Sequence, residues 1–93
     1  MEKIMTIQKV LPVSERQYVD RQGQQQVFVS RGIVFSDGID TIYGELIGEQ
    51  ARRNDLAPDM NCCVQMTCAV REWEDKNHTT RYSNELIINR IGL

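Results

Sequence analysis

The chain has 93 residues, 41% of them hydrophobic, and carries 11 Lys and Arg against 13 Asp and Glu, for a formal net charge of −2. This length predicts a single domain over residues 1–93 with a thin core. No stretch approaches the ~18 uninterrupted apolar residues that a membrane-spanning helix needs, so we expect no membrane partner.

The cysteines and the N-terminus indicate a cytoplasmic protein. Three cysteines are an odd number, and Cys62 and Cys63 are adjacent, which does not suit the even disulfide framework of a small secreted domain. Residues 1–6 contain no long apolar segment of the kind found in signal peptides. With one histidine and no C-x-x-C motif, the chain lacks the ligands of a structural zinc site, and we expect neither a metal nor a cofactor.

The first half of the chain predicts three strands, because apolar and β-branched residues alternate with polar ones between turn signals. These strands cover residues 4–13, 25–35 and 39–47. The polar stretch Ser14–Gln24 is predicted to be a loop. In the second strand Gly32 disturbs the apolar phase, which suggests a β-bulge. The Asp37-Gly38 pair predicts a tight turn before the third strand.

The second half begins with a helical segment and then returns to strands. Residues 48–56 lack β-branched side chains and are rich in helix formers, so one or two helical turns are expected before Pro58. Apolar residues then occupy every second position from Cys62 to Val70, in a strand that runs to Trp73, and a last strand covers residues 81–91. Three strands, a short helix and two more strands is the element order of the OB-fold. We therefore expect a mainly β protein, a five-stranded Greek-key barrel with one short helix between strands 3 and 4.

The last two strands can be paired so that similar side chains share a face. With Arg71 opposite Glu85, opposite charges pair on the outer face and apolar residues such as Val70 meet on the inner face. A slip of one residue would bury Glu85 among apolar residues, so we reject it. The chosen register puts Trp73 on the outer face with Arg71 and turns Tyr82 toward the core at the mouth of the barrel.

The same alternation assigns the faces of the second and third strands. The residues predicted to point inward are Val27, Val29, Ile33, Phe35, Ile42 and Leu46. The residues predicted to point outward are Phe28, Thr41, Tyr43, Glu45 and Ile47.

Aromatic and basic residues on the outside form a candidate binding site. Bases of single-stranded nucleic acid stack on exposed aromatic rings, and basic side chains hold the phosphates. The candidates are Phe28, Tyr43 and Trp73 for stacking and Arg16, Arg21, Arg31, Arg71, Lys76 and Arg81 for the phosphates. The charge distribution allows this use, since residues 1–36 sum to +2 and the acidic excess lies in residues 37–60. Each aromatic has the alternative of completing the core or a subunit interface.

The run from Ile42 to Ala51 resembles the strand-into-helix segment of bacterial single-stranded DNA-binding proteins, in which an apolar pair, a glycine and a following alanine lead into the helix. The matching positions are Leu46, Ile47, Gly48 and Ala51. The segment Arg71-Glu72-Trp73, followed by Tyr82 and Leu86–Ile91, is similar to a family of small uncharacterised bacterial OB-type proteins. The resemblance implies an OB-fold and single-stranded DNA binding in replication or repair. Thr41 and Ile47 stand where the DNA-binding family has stacking aromatics, so Phe28, Tyr43 and Trp73 would have to substitute.

The sequence shows no catalytic motif. It contains neither a P-loop nor a dinucleotide fingerprint, and His78 lies in a polar loop with no evident nucleophile. We therefore expect a non-enzymatic OB-fold protein that binds single-stranded nucleic acid, DNA before RNA, as a homodimer or higher homo-oligomer. The alternative is an OB-fold module for protein–protein interaction without nucleic-acid binding, with a replication or phage-related protein as partner. The negative net charge favours this alternative.

Overall fold

The computed structural model describes all 93 residues and is dominated by six β-strands. The strands are β1 (Glu2–Val10), β2 (Ser14–Val19), β3 (Gln25–Ser36), β4 (Thr41–Ile47), β5 (Asn61–Glu74) and β6 (Thr80–Gly92). A 3-10 helix, Gly48–Arg52, follows β4 in the segment for which a short helix was predicted. The structure holds no helix with the length and apolar character needed to cross a membrane.

The sheet closes on itself because β1 pairs with two neighbours. Its first half is antiparallel to β5, and its second half is antiparallel to β3. The ring continues from β5 to β6, then to β4 and β3. Only the β4–β6 contact is parallel, and it consists of a single pair, Glu45 beside Ile87. The five strands of this ring, with the 3-10 helix after the third, have the order of an OB-fold, which confirms the predicted fold class.

The core is one cluster of thirteen buried residues inside the ring. Alternate residues of β5 are buried, namely Cys62, Val64 and Met66. In β3 and β4 the predicted inward residues Ile33, Phe35 and Leu46 are fully buried. Each such side chain stabilises the fold by about 1.5–3 kcal/mol. A core of this size gives each of its members a large share of the total stability.

Two arginines satisfy backbone carbonyl groups at one end of the ring. Arg31 donates from Nε to the Leu11 carbonyl oxygen at 2.8 Å and from a terminal guanidinium nitrogen to the Arg53 carbonyl oxygen at 2.7 Å. Arg53 in turn donates to the Ile91 carbonyl oxygen at 3.0 Å. The Arg31 side chain is therefore half-buried and occupied in holding β1, β3 and the 3-10 helix segment together.

Two hairpins extend from opposite ends of the ring, because one follows β1, the other follows β5, and these two strands are antiparallel. We call them the first arm (residues 14–29) and the second arm (residues 68–86). The prediction that Ser14–Gln24 is a loop is wrong, since Ser14–Val19 forms β2 and pairs with β3. The sequence of β2 carries no strand signal because every one of its residues is exposed.

The arms also account for three residues that were wrongly predicted to face the core. Val27 of the first arm is 50% exposed, and Val70 and Tyr82 of the second arm are 69% and 66% exposed. These residues lie on the same side of their strands as the core residues. The strands extend past the ring at these positions, so no core side chains cover them.

The pairing of β5 with β6 differs from the prediction by two residues. Ala69, rather than Arg71, lies opposite Glu85, and Arg71 lies opposite Ser83. From Met66 to Glu74 a shift of two residues leaves each β5 side chain on its predicted face, and a bulge between Gln65 and Met66 changes the register nearer the start of β5. Arg71 and Trp73 therefore still share the outer face, and Arg71 still approaches Glu85, diagonally, at 3.8 Å.

β3 passes through Gly32 without the predicted bulge. The β3–β4 register is continuous from Ser30 to Ser36, whereas the ladder of β1 with β3 shifts between Ile7 and Lys9. The apolar phase of β3 breaks because Arg31 takes an inward position at the end of the ring, where it binds carbonyl groups.

Candidate nucleic-acid interface

The outer sides of β3, β4 and β6 form one surface that joins the two arms, and we call it the outer face. Strand pairing places Gly32 opposite Glu45 and Val34 opposite Tyr43 on this surface. As predicted for β4, Thr41, Tyr43 and Ile47 are exposed, and Glu45 is half-buried.

Tyr43 packs over Gly32 at the centre of the outer face. A Cβ atom at position 32 would lie 2.5 Å from Tyr43 Oη and 2.6 Å from its Cε2, so only glycine leaves room for the ring. The Tyr43 hydroxyl donates to Glu45 Oε1 at 3.4 Å. Partial burial raises the pKa of Tyr43, and the neighbouring Glu45 carboxylate raises it further. The side chain is thus a neutral phenol, and the residue is 50% exposed.

The first arm carries an arginine–aromatic pair on this surface. Arg16 of β2 lies opposite Phe28 of β3, and its guanidinium carbon is 5.5 Å from the centre of the Phe28 ring. This distance is that of a cation–π contact. Tyr18 follows on the same side of β2, opposite Gln26, and is 48% exposed.

The second arm carries a matching pair. The guanidinium carbon of Arg71 is 5.3 Å from the Trp73 ring, and Arg81 lies directly opposite Trp73 on β6. Arg81 donates from Nε to Asp75 Oδ2 at 2.8 Å, which fixes its position beside the ring. Trp73 remains 39% exposed.

A carboxylate caps the turn at the tip of the first arm. Asp20 Oδ1 accepts hydrogen bonds from the N–H groups of Gln22 and Gln24, both at 2.9 Å. The backbone bond from Gln24 is the largest of the contributions that lower the pKa of Asp20. Gly23 takes the left-handed conformation, at φ 79°. Arg21 is exposed at this tip.

The turn of the second arm repeats this arrangement. Asp75 Oδ1 accepts from the N–H groups of Asn77 at 2.9 Å and Thr79 at 3.0 Å. His78 takes the left-handed position, at φ 60°. Lys76 follows the capping aspartate, as Arg21 does in the first arm, and is exposed. Each arm therefore presents a cation at its tip and an arginine stacked on an aromatic ring nearer the barrel.

The structure brings most of the predicted site residues together. Six lie on the outer face or its continuation along the arms, namely Arg16, Phe28, Tyr43, Arg71, Trp73 and Arg81, and two lie at the arm tips, Arg21 and Lys76. Arg31 does not join them, because it points to the other side of β3 and binds backbone carbonyl groups.

Tyr18 is a surface aromatic that sequence reasoning missed. It lies in a segment that was interpreted as a loop, so no face was assigned to it. Because β2 is exposed throughout and lacks apolar alternation, no sequence signal identifies Tyr18 as a surface aromatic.

The depressions on the other sides of the molecule are lined by no aromatic residue. One, of about 270 Å³, lies against the β1–β5 side and is lined by Glu2, Cys63, Gln65, Arg90 and Gly92. Another, of about 450 Å³, lies beside the β3–β4 turn. No three His, Cys, Asp or Glu side chains converge as a metal site would require. The outer face is therefore the surface with a distinctive chemistry.

A closed ring of five strands in this order is an OB-fold. Among solved structures, the chain is similar to the mitochondrial single-stranded DNA binding protein Rim1 from S. cerevisiae. The TM-score is 0.57 and the identity 11%, over 100% of this chain and 91% of that one. This likeness supports the fold. No protein-family model and no curated protein matches the sequence.

Proposed function

We propose that this chain binds single-stranded nucleic acid, DNA before RNA, across the outer face, without catalysing a reaction. The observation that carries the proposal is the pair of arginine–aromatic contacts, Arg16 with Phe28 and Arg71 with Trp73, on the two arms, with the Tyr43 ring between them. Bases stack on aromatic rings for about 1–3 kcal/mol each, with little regard to sequence. The single-stranded DNA binding activity in the name of the similar mitochondrial protein supports the proposal.

The dimensions of the chain suit a short segment of strand. Its longest extent is 39 Å, which corresponds to about eleven nucleotides at a stacked rise of ~3.4 Å per nucleotide. Site sizes of about 4–16 nucleotides are usual for one OB-fold. A 15-nucleotide oligomer therefore covers the surface from arm to arm.

Titration of the fluorescence of Trp73, the only tryptophan, tests the proposal directly. We expect a 15-nucleotide single strand to quench it at ~50 mM salt. If about four of the basic side chains contact phosphates, log Kd should change with log salt by a slope near 3 in magnitude, from ~0.7 per contact. Absence of quenching at ~50 mM salt would reject nucleic-acid binding.

Phe28→Leu tests the arm that lies far from the reporter. Because it removes one stacking ring and leaves Trp73 intact, we expect about 5- to 150-fold weaker binding, the equivalent of 1–3 kcal/mol. Tyr82→Leu is the matched control, since Tyr82 is an exposed aromatic on the opposite side of the second arm. An equal loss in both variants would contradict the assignment of the outer face.

The second candidate function is binding of another protein without nucleic acid, with a replication or phage-related protein as the partner class. The favouring observation is that two carboxylates lie on the outer face, Glu45 at the single β4–β6 pair and Glu85 at the base of the second arm. Carboxylates on a phosphate path repel the strand. Failure of every single strand to quench Trp73, with retention of the folded state, would favour this candidate.

We also propose that the chain forms homodimers through the β1–β5 side. Ile4 and Leu93 are 79% and 58% exposed there and line one shallow depression together with Cys63. Glu2 and Arg90 line the adjoining depression, and such an acid–base pair can be matched by a two-fold interface. Sedimentation velocity should give the dimer mass for the wild type and the monomer mass for Ile4→Glu. A monomer mass for the wild type at all concentrations would exclude this interface.

A further inference from the structure

The outer face contains a cavity where the ring of strands is held most weakly. β4 and β6 pair only at Glu45 and Ile87, and we call this contact the seam. A cavity of about 170 Å³ opens beside it, lined by Tyr43, Glu45, Asn84, Glu85, Leu86 and Ile87. Pockets for whole small molecules span about 300–1,000 Å³. The seam cavity is therefore sized for one edge of a base whose ring lies against Tyr43.

The polar groups of the seam cavity are mainly hydrogen-bond acceptors. Glu45 and Glu85 carry carboxylate oxygens, which only accept. The single donor of Tyr43 already points to Glu45 Oε1 at 3.4 Å. Asn84 is the remaining lining side chain with a donor, and its amide can equally accept. The lining side chains therefore favour a ligand group that brings donors.

Glu85 is held only weakly by its ion pair with Arg71. In the free protein its carboxylate lies 3.8 Å from an Arg71 guanidinium nitrogen, and both side chains are at least half exposed. Exposed ion pairs of this length contribute little, about 0–1 kcal/mol. A phosphate bound near Trp73 would compete with Glu85 for Arg71, and Glu85 already lines the seam cavity.

We propose that the seam cavity selects bases that carry an exocyclic amino group and disfavours thymine and uracil. This inference rests on the proposed function. The amino groups of cytosine and adenine, and those of guanine, donate to carboxylates, as in the known pairing of Glu or Asp with cytosine N4. Thymine and uracil carry a carbonyl oxygen where cytosine carries its amino group, and this oxygen would face a carboxylate oxygen with no hydrogen between them, which leaves N3–H as the one donor on their edge. A base stacked on Tyr43 is thus read by Glu45 and Glu85.

Trp73 titration with three pyrimidine oligomers tests the selection. Fifteen-nucleotide dC, dT and dU strands are compared at pH 8, where cytosine is unprotonated, with the salt held constant. We expect dC to bind about five-fold or more tightly than dT, which is the discrimination of at least ~1 kcal/mol that one such contact gives. We expect dU to bind like dT, since both have the same hydrogen-bonding edge.

The outcomes separate this inference from the proposed function. If no oligomer quenches Trp73, nucleic-acid binding fails, and the selection fails with it. If all bind but dT equals or exceeds dC, only the selection is overturned. If dU binds like dC while dT is weak, the thymine methyl group is being excluded and the hydrogen-bonding reading is wrong.

The isosteric variants Glu45→Gln and Glu85→Gln test which carboxylate causes the preference for dC over dT. Each amide adds a donor that can bond to a thymine carbonyl, so the ratio of dC to dT affinity should fall toward one in at least one of them. Glu49→Gln is the matched control, because it removes the same charge from the exposed surface of the 3-10 helix. It should change affinities for all oligomers alike. A ratio that is the same in all three variants and the wild type would overturn the role of the carboxylates.

Discussion

Gly32→Ala tests whether Tyr43 must lie over β3 for the outer face to bind. An alanine Cβ at position 32 would lie 2.5 Å from Tyr43 Oη, whereas ordinary contacts begin at 3.4 Å, so the ring has to retreat by about 0.9 Å, the difference between the two. Tyr43 is half exposed and its hydroxyl is held by one long hydrogen bond to Glu45. We therefore expect the ring to rotate away while the strand stays in place.

The structure predicts a small effect on stability and a larger one on binding. Moving one side chain off its preferred rotamer costs about 0.5–1.5 kcal/mol, so the free energy of unfolding should fall by no more than that. Loss of one stacking platform costs about 1–3 kcal/mol, which corresponds to about 5- to 150-fold in Kd. Urea unfolding and Trp73 titration measure the two quantities separately.

Comparison with Tyr43→Ala decides the interpretation. Both substitutions remove the same contact between the Tyr43 ring and a bound base. The double variant should therefore bind no more weakly than the weaker-binding of the two single variants. Gly44→Ala is the matched control, because its Cβ would meet Ile88 Cγ1 at 2.9 Å inside the core. It should lower stability and leave the affinity of the folded protein unchanged. Wild-type affinity in Gly32→Ala together with weak binding in Tyr43→Ala would refute the role assigned to Gly32.

Three further outcomes follow from the arms and the thiols. Gly23→Ala should lower the free energy of unfolding by about 1–2 kcal/mol, because a φ of 79° is strained for any L side chain, and an unchanged urea midpoint would contradict this. Arg81, together with backbone N–H groups, lowers the pKa of Asp75 below its ordinary value of 3.8. The ionised Asp75 carboxylate therefore stabilises the folded state fully above pH 3.8, and this stabilisation is lost as the pH falls through the lowered pKa. Asp75→Asn should therefore flatten the acid limb of the pH–stability curve, and superimposable limbs would exclude the effect. Burial is the main cause that raises the pKa of Cys62, so a thiol reagent at neutral pH should modify exposed Cys68 first, and equal rates at both would be inconsistent with the structure.

The sequence predicts the ring of the barrel well because burial there imposes a period of two. In β5 the alternation of Cys62, Val64 and Met66 reflects one buried and one exposed side, and the structure has the same pattern. Leu46 and Tyr43 fall on opposite sides of β4 for the same reason. The element order, which the fold class depends on, follows from these patterned strands and from the unpatterned segment between them.

The arms are predicted poorly because no core lies against them. β2 is exposed throughout and is held by its ladder with β3, which leaves no periodic signal in its sequence. Val70 and Tyr82 keep the phase of the core strands, so sequence reasoning buries them, although the hairpin has extended past the ring. Opposite charge predicts that Arg71 and Glu85 are neighbours but not their register, because a diagonal contact brings the two charges together as a direct one does. The sequence therefore identifies the candidate binding side chains more reliably than it predicts the distances between them.

An acidic net charge is compatible with a nucleic-acid surface here because much of the acidic excess is paired away from the outer face. Asp37 and Asp40 both lie near Lys3 Nζ, at 3.8 and 3.3 Å, and Asp55 is bound by Arg53 at 2.7 Å. Half of the six acids in residues 37–60 are accounted for in this way. The exposed cations lie instead on the arms, where two of them stack on aromatic rings. A bound strand would meet an arginine–aromatic pair on each arm and the carboxylates of Glu45 and Glu85 near the seam, so we expect affinity to come from the arms and discrimination among bases from the seam.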